Sequence, residues 1–151
     1  PGASAKLFSG DRAMADIVAA LVALLAAEAS VTDLAGNHIF GGELPPDQAE
    51  FMPRDALVIA PSGGTSLTDG SYLEADTQRF DLFSYAPTPG LAAALSRTAA
   101  TVLRRTRRSV HAGVLIHWVR HAGGFSIGRD PLTAWPRAFQ SFQVFHSLEE
   151  V

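Results

Sequence analysis

Between Met14 and Leu25, seven apolar residues (Met14, Ile17, Val18, Leu21, Val22, Leu24 and Leu25) recur every three or four positions. At 100° per residue they fit within an arc of about 160°. This spacing predicts an amphipathic helix over about 11–29 that must bury one side against something else. The other side carries alanine where a lone surface helix would carry Lys or Glu. Alanine is a strong helix former, so this face has a local explanation; it also permits close approach of a second surface, which makes Ala15, Ala19 and Ala23 candidate subunit contacts. With 151 residues, 47% hydrophobic and 18% charged, the chain has material for one domain with a proper core.

Residues 1–10 are small and polar and are expected to form a flexible arm, with a single domain over 11–151. The longest apolar run, Ile17 to Ala27, is eleven residues, against the ~20 needed to span a bilayer. With no basic stretch ahead of a cleavage-like site, the expectation is a cytosolic protein without signal peptide, anchor or membrane partner. The sequence contains no cysteine, which excludes disulfides, thiolate ligands and cysteine nucleophiles.

Past Gly36, Asn37–Phe40 reads as a short strand, and the three prolines of 41–55 mark a loop. Ala56–Ala60 is a short apolar run consistent with a buried strand. Thr77–Ala86 is a second strand, with Phe80 and Leu82 on one side and Phe83 and Tyr85 on the other. The turn formers between them make a hairpin with a long tip. Thr88 and Pro89 form a helix start, Thr as N-cap and Pro at the first helical position. That helix should run to about Thr106 with a core stripe of Leu91, Leu95, Thr98, Ala99 and Val102. In Val114–His121 simple alternation places Val114, Ile116 and Trp118 on one face and Leu115, His117, Val119 and His121 on the other. Gly123–Pro136 reads as a connection, and Ala138–Leu148 as the last strand. The order predicts an α+β domain, two helices packed on a mostly antiparallel sheet.

Charge is segregated along the chain. Residues 1–81 hold four basic and twelve acidic residues, a balance of −8, whereas 82–129 hold seven arginines and no acid. On a helical wheel Arg97, Arg104 and Arg108 fall within about 40° of one another. A solvated helix face, favoured near the C-terminus by the dipole, accounts for such a stripe. So do contacts with nucleic-acid phosphates, or pairing with the acidic half of a neighbouring copy in a head-to-tail contact that closes into a ring. The last reading uses both halves of the asymmetry and is preferred.

Catalytic patterns are missing. Of the five histidines, His117 and His121 sit about 13 Å apart on a straight strand, too far to share a metal ion. Gly63-Gly64-Thr65-Ser66 lacks the Lys of a phosphate loop, and there is no GxSxG elbow. No enzymatic activity, cofactor or metal is expected; a small enzyme or ligand carrier would need converging polar groups that the sequence does not name.

The leading amphipathic helix ending near HIF, the Pro-rich loop, ALVIAPSGGTS, the strand RFDLFSYA feeding LAAALSRTAATVLRR, and the late RDPLTAWPRAFQSFQVF together resemble the tail terminator (tail completion) proteins of long-tailed phages and gene transfer agents, over about 12–148. The resemblance implies a ring-forming subunit, a homohexamer that caps the head-proximal end of the tail tube. It would end tube polymerisation and join the tube to the head connector or stopper protein, with DNA passing through the lumen. It further implies assembly in the host cytoplasm and a final place at the particle neck. Under it Ser62, Gly63, Gly64, Thr65, Asp69, Tyr72, Phe125 and Arg129 become candidate contacts to tube or connector, and Arg97, Arg104 and Arg108 join the subunit-interface candidates. A head-completion, stopper or neck protein of the same particle, and a small nucleic-acid-binding domain using the arginines, stand as alternatives.

Overall fold

The computed structural model describes residues 16–63, 75–147 and 151. The expected arm, residues 1–10, lies outside them. The first helix, α1 (Ile17–Ala26), starts where Asp16 accepts a hydrogen bond from the Ala19 amide at 3.0 Å. It stops three residues short of the predicted end. Glu28 takes an extended conformation, and the chain turns by 89° into α2 (Ala29–Ala35), a helix the sequence reading did not separate. The turn lets Val31 and Ala35 reach the same core as Leu21, Leu24 and Leu25. Gly36, at φ 59°, ends α2 in a conformation that costs glycine nothing.

The strands are β1 (Ile39–Gly41), β2 (Ala56–Gly63), β3 (Ala75–Tyr85), β4 (Ser109–His111), β5 (Val114–His121), β6 (Ser126–Arg129) and β7 (Pro136–Ser147). They form one sheet in the order β1-β2-β3-β7-β5-β4, curled as a half-barrel, with β6 also pairing β7. The β1–β2 pairing is parallel and the rest are antiparallel. Short β6 falls within the stretch expected as a connection, and short β4 in a stretch for which no element was predicted. The long helix α3 (Pro89–Arg105) begins as predicted, with the Leu91 amide donating to Thr88 Oγ1 at 3.2 Å.

α1 and α3 cover one face of the sheet. Beneath them lie Leu57, Ile59, Phe80, Leu82, Ile116, Val119, Phe142 and Val144, all buried. At the β1 edge α1 comes so close that a Cβ on Gly41 would stand 2.7 Å from Val18 Cγ1, which is why a glycine suits this position. α3 seats through small residues: Ala92, Ala93, Ser96, Ala99 and Ala100 are buried with Leu95 and Leu103, whereas Leu91 is half exposed. The expected stripe is therefore rotated, because the small-residue face lies closer to β7 than the leucine edge would allow. One polar chain crosses this interface: Gln140 Nε2 donates to Ser96 Oγ at 2.6 Å, and His121 Nε2 donates to Gln140 Oε1 at 2.7 Å. All of the amide's strong bonds stay inside the fold.

The predicted alternation of β5 fails at one point. Between Ile116 and Trp118 the register with β7 shifts. A bulge there lets His117 and Trp118 both lean on Phe145, on the uncovered face, with centroids 4.8 and 5.6 Å away. Val119 is consequently buried on the helix side, and His121, still exposed, lies on that side against Gln140 and Phe142, the reverse of a strict two-residue period.

Candidate interaction surfaces

Position in the sheet decides where charge ends up. β1 is one edge, flanked by α2 and by the segment 42–55, whose Glu43, Asp47 and Glu50 are exposed. Within that segment the 3-10 helix Pro46–Phe51 holds Phe51 half exposed under the Arg54 guanidinium, at 5.1 Å from the ring. Leu44 and Met52 anchor the segment from below, packing with Phe40, Val58, Tyr85 and Trp135 on the face the helices leave uncovered. Asp55, partly buried beside His38, has its carboxyl pushed above the usual range by burial.

The opposite edge is basic. α3 ends at Thr106, and Arg104, Arg105, Arg107 and Arg108 are all exposed around the turn into β4. Arg108 lies past the helix end, so the wheel that grouped it with Arg97 and Arg104 does not describe its position; Arg97 and Arg104 are exposed on α3 itself. Val110, in the middle of β4, is 54% exposed. Two residues on, Ala112 and Gly113 close the β4–β5 hairpin with φ values of 47° and 79°, the backbone of a two-residue primed turn. A Ser–His pair sits here as well, but it is not poised for catalysis. Ser109 Oγ donates to the Arg107 carbonyl at 2.8 Å, and His111 Nε2 lies 2.8 Å from the same hydroxyl. The hydroxyl proton is thus directed away from the imidazole, the opposite of what an activated nucleophile needs.

A third surface is the β6–β7 ribbon. All four residues of β6 are exposed, and β6 meets only β7 among the described strands. Its loop is tightly built. Asp130 Oδ1 accepts from the Leu132 and Thr133 amides at 2.8 and 3.3 Å, the Ala134 amide returns to the Asp130 carbonyl at 2.8 Å, and Arg137 pairs with Asp130 Oδ2 at 3.3 Å. This ordered turn holds Leu132 out to solvent, 94% exposed; farther back along the ribbon Ile127 is 52% exposed, and Phe125, just before β6, is 39% exposed. Leu132 was not among the sequence candidates; the signal was a leucine between two turn formers in DPLT, where an apolar residue has no local reason to be.

The remaining candidates are spread over the molecule. Ala19 and Ala23 are exposed on α1, and Ala15 lies outside the described residues. Ser62 is exposed near the end of β2, whose last residue is Gly63, while Gly64, Thr65, Asp69 and Tyr72 lie outside the described residues. Arg129 is exposed and donates to the Ala134 carbonyl at 3.0 Å. Among the described residues no three His, Asp or Glu side chains converge as metal ligands, and no single helix is long and apolar enough to cross a membrane.

Such an arrangement, with exposed groups on the sheet edges and the β6–β7 ribbon, defines a small α+β domain without a convergent polar site among the described residues. The chain belongs to the family of tail completion protein gp17, whose model matches residues 19–147. Its fold is shared with a chain in the solved virion of a native gene transfer agent particle, at 13% identity and a TM-score of 0.65, over 87% of this chain and 94% of that one. No curated protein matches it in sequence.

Proposed function

We propose that this protein is a non-catalytic structural component of a phage or gene-transfer-agent particle. It forms a hexameric ring on the head-proximal end of the tail tube, ends tube polymerisation and joins the tube to the head connector, with DNA passing through the lumen. The observation that carries this reading is family membership across nearly the whole domain. Two features of the fold support it. Opposite charges sit on opposite edges of one sheet, which suits a heterologous contact that closes into a ring. The β6–β7 ribbon offers exposed apolar side chains, Leu132 at its ordered turn and Ile127 and Phe125 along it, for the tube or the connector. Assembly then takes place in the host cytoplasm, and the protein ends at the particle neck.

Light scattering across low and moderate salt, with electron microscopy of the protein mixed with tail tubes, tests this. A mass of six subunits, or rings on tube ends, is the expected outcome. A second reading rests on the exposed Arg104, Arg105, Arg107 and Arg108, a duplex-binding surface. It requires affinity for DNA that falls steeply with salt. A monomer that ignores tubes and binds DNA in that manner would replace the first reading with the second.

A further inference from the structure

We infer that the β4 edge of one subunit docks on the 43–51 segment of the next, Val110 meeting Phe51 and Arg107 and Arg108 meeting Asp47 and Glu50. The inference rests on the ring-subunit reading and specifies its contact. Among described residues 16–63 there are seven acids and one arginine, Arg54. Residues 82–129 have seven arginines and no acid. The sheet order puts Glu43, Asp47 and Glu50 next to β1 at one end and Arg107 and Arg108 next to β4 at the other. A second copy brings them together.

Each edge also exposes one apolar side chain close in sequence to its charges, Phe51 with Arg54 over one side of its ring. Val110 is 54% exposed and Phe51 is 53% exposed, and neither is needed by the core. Glu28 shares the groove beside β4 with Arg105 and Arg107, and Arg108 and Val110 are exposed next to it. β4 has no strand on its outer side among the described residues, an open edge of the kind that proteins otherwise cover. The first helix contributes nothing to this contact, which separates it from a ring closed through Ala19 and Ala23.

A heterologous contact makes a demanding test possible. Arg107→Glu/Arg108→Glu places acid against acid, and Asp47→Arg/Glu50→Arg places base against base. Each protein alone should lose self-association by at least about a hundredfold, measured by sedimentation, and should no longer form rings on tube ends. Mixed in equal amounts, the two should recover assembly, because every reversed edge then faces a reversed partner and the copies alternate around an even-numbered ring. Unchanged assembly of either protein, or no recovery on mixing while both keep the wild-type circular dichroism and melting temperature, would overturn the contact. Wild-type rings on tubes in that same experiment would leave the terminator reading standing, whereas wild type that neither associates nor caps tubes would defeat both. Should the arginine variant lose salt-dependent affinity for a DNA duplex and keep its self-association, the edge binds phosphate and the proposed occupant is wrong.

Discussion

The two faces of the sheet are made by the same strands and do different work. On the helix-covered face Phe80 and Phe142 stand opposite each other in the β3–β7 register and both are 2% exposed. On the other face Phe83 and Phe139 are also opposed, 5.3 Å between centroids, yet both remain partly exposed, and Arg137 rather than a helix lies over Phe83. Apart from the small cluster under residues 42–55, no layer among the described residues buries that face. Stability is thus concentrated on one side, and the uncovered face, edges and ribbon are free to vary with whatever they contact.

The largest test of this contrast compares two phenylalanines three residues apart on β7. Phe142→Ala empties a fully packed site and should cost about 3 to 5 kcal/mol. Phe145→Ala removes a ring that rests on His117 and Trp118 with one side open, and should cost about 1 kcal/mol, in line with its smaller buried area. Urea unfolding of both reads the difference directly; equal losses would mean that the second face is a core after all. A smaller effect sharpens the seating of the covering layer. Gly41→Ala drives a methyl against Val18, whose branched side chain has little freedom to retreat, and should cost about 1 to 3 kcal/mol as an overpacked contact. Gly42→Ala makes a poor control because φ there is 86°. Gly90→Ala, with open space around its Cβ, is the suitable one and should not destabilise.

The same contrast explains what could be read from the sequence. Phe80, Leu82, Phe142 and Val144 keep a strict two-residue period because a buried layer holds them to it, so their strands and the hairpin between β2 and β3 were legible. The capped start of α3 was legible for a local reason, the Thr88-Pro89 pair. The β5 bulge was not, since nothing in VLIHWVRH marks the extra residue; only its pairing with β7 shows that His117 and Trp118 share a side. β6 escaped notice because SIGR has no buried face and so no period. Of the candidate contacts, the charge segregation was visible along the chain, but which edge each sign occupies depends on strand order, and a single sequence does not print strand order. Arg108 shows the cost: a wheel extended past the end of the helix assigned it a face it does not have.

An edge supplies the third comparison. Ala112 closes the β4–β5 hairpin with φ 47°, a conformation that costs a non-glycine residue about 1 to 2 kcal/mol. Ala112→Gly relieves that strain and loses part of the gain to the greater freedom of glycine in the unfolded chain. The expected result is a net stabilisation of up to about 1 kcal/mol in thermal melting, with self-association unchanged because the backbone of β4 is preserved. A destabilised variant would show that Ala112 makes a packing contact which outweighs its strain.

The smallest effect belongs to His117, on the uncovered face. Burial, then the positive charges of Arg108 and His146, lower its pKa below the ordinary 6.5. The folded protein therefore takes up this proton at lower pH than the unfolded chain does. Between the two values the unfolded state binds more protons, so the contribution is complete above about pH 6.5 and is lost as the pH falls toward the lowered value. The melting temperature should accordingly drop between pH 7.5 and 5.5, and His117→Gln should flatten part of that drop while barely changing stability at pH 7.5. Arg108→Gln should flatten it less, since burial is the larger cause and the arginine the smaller. A pH slope untouched by His117→Gln would show that this histidine does not carry the pH dependence.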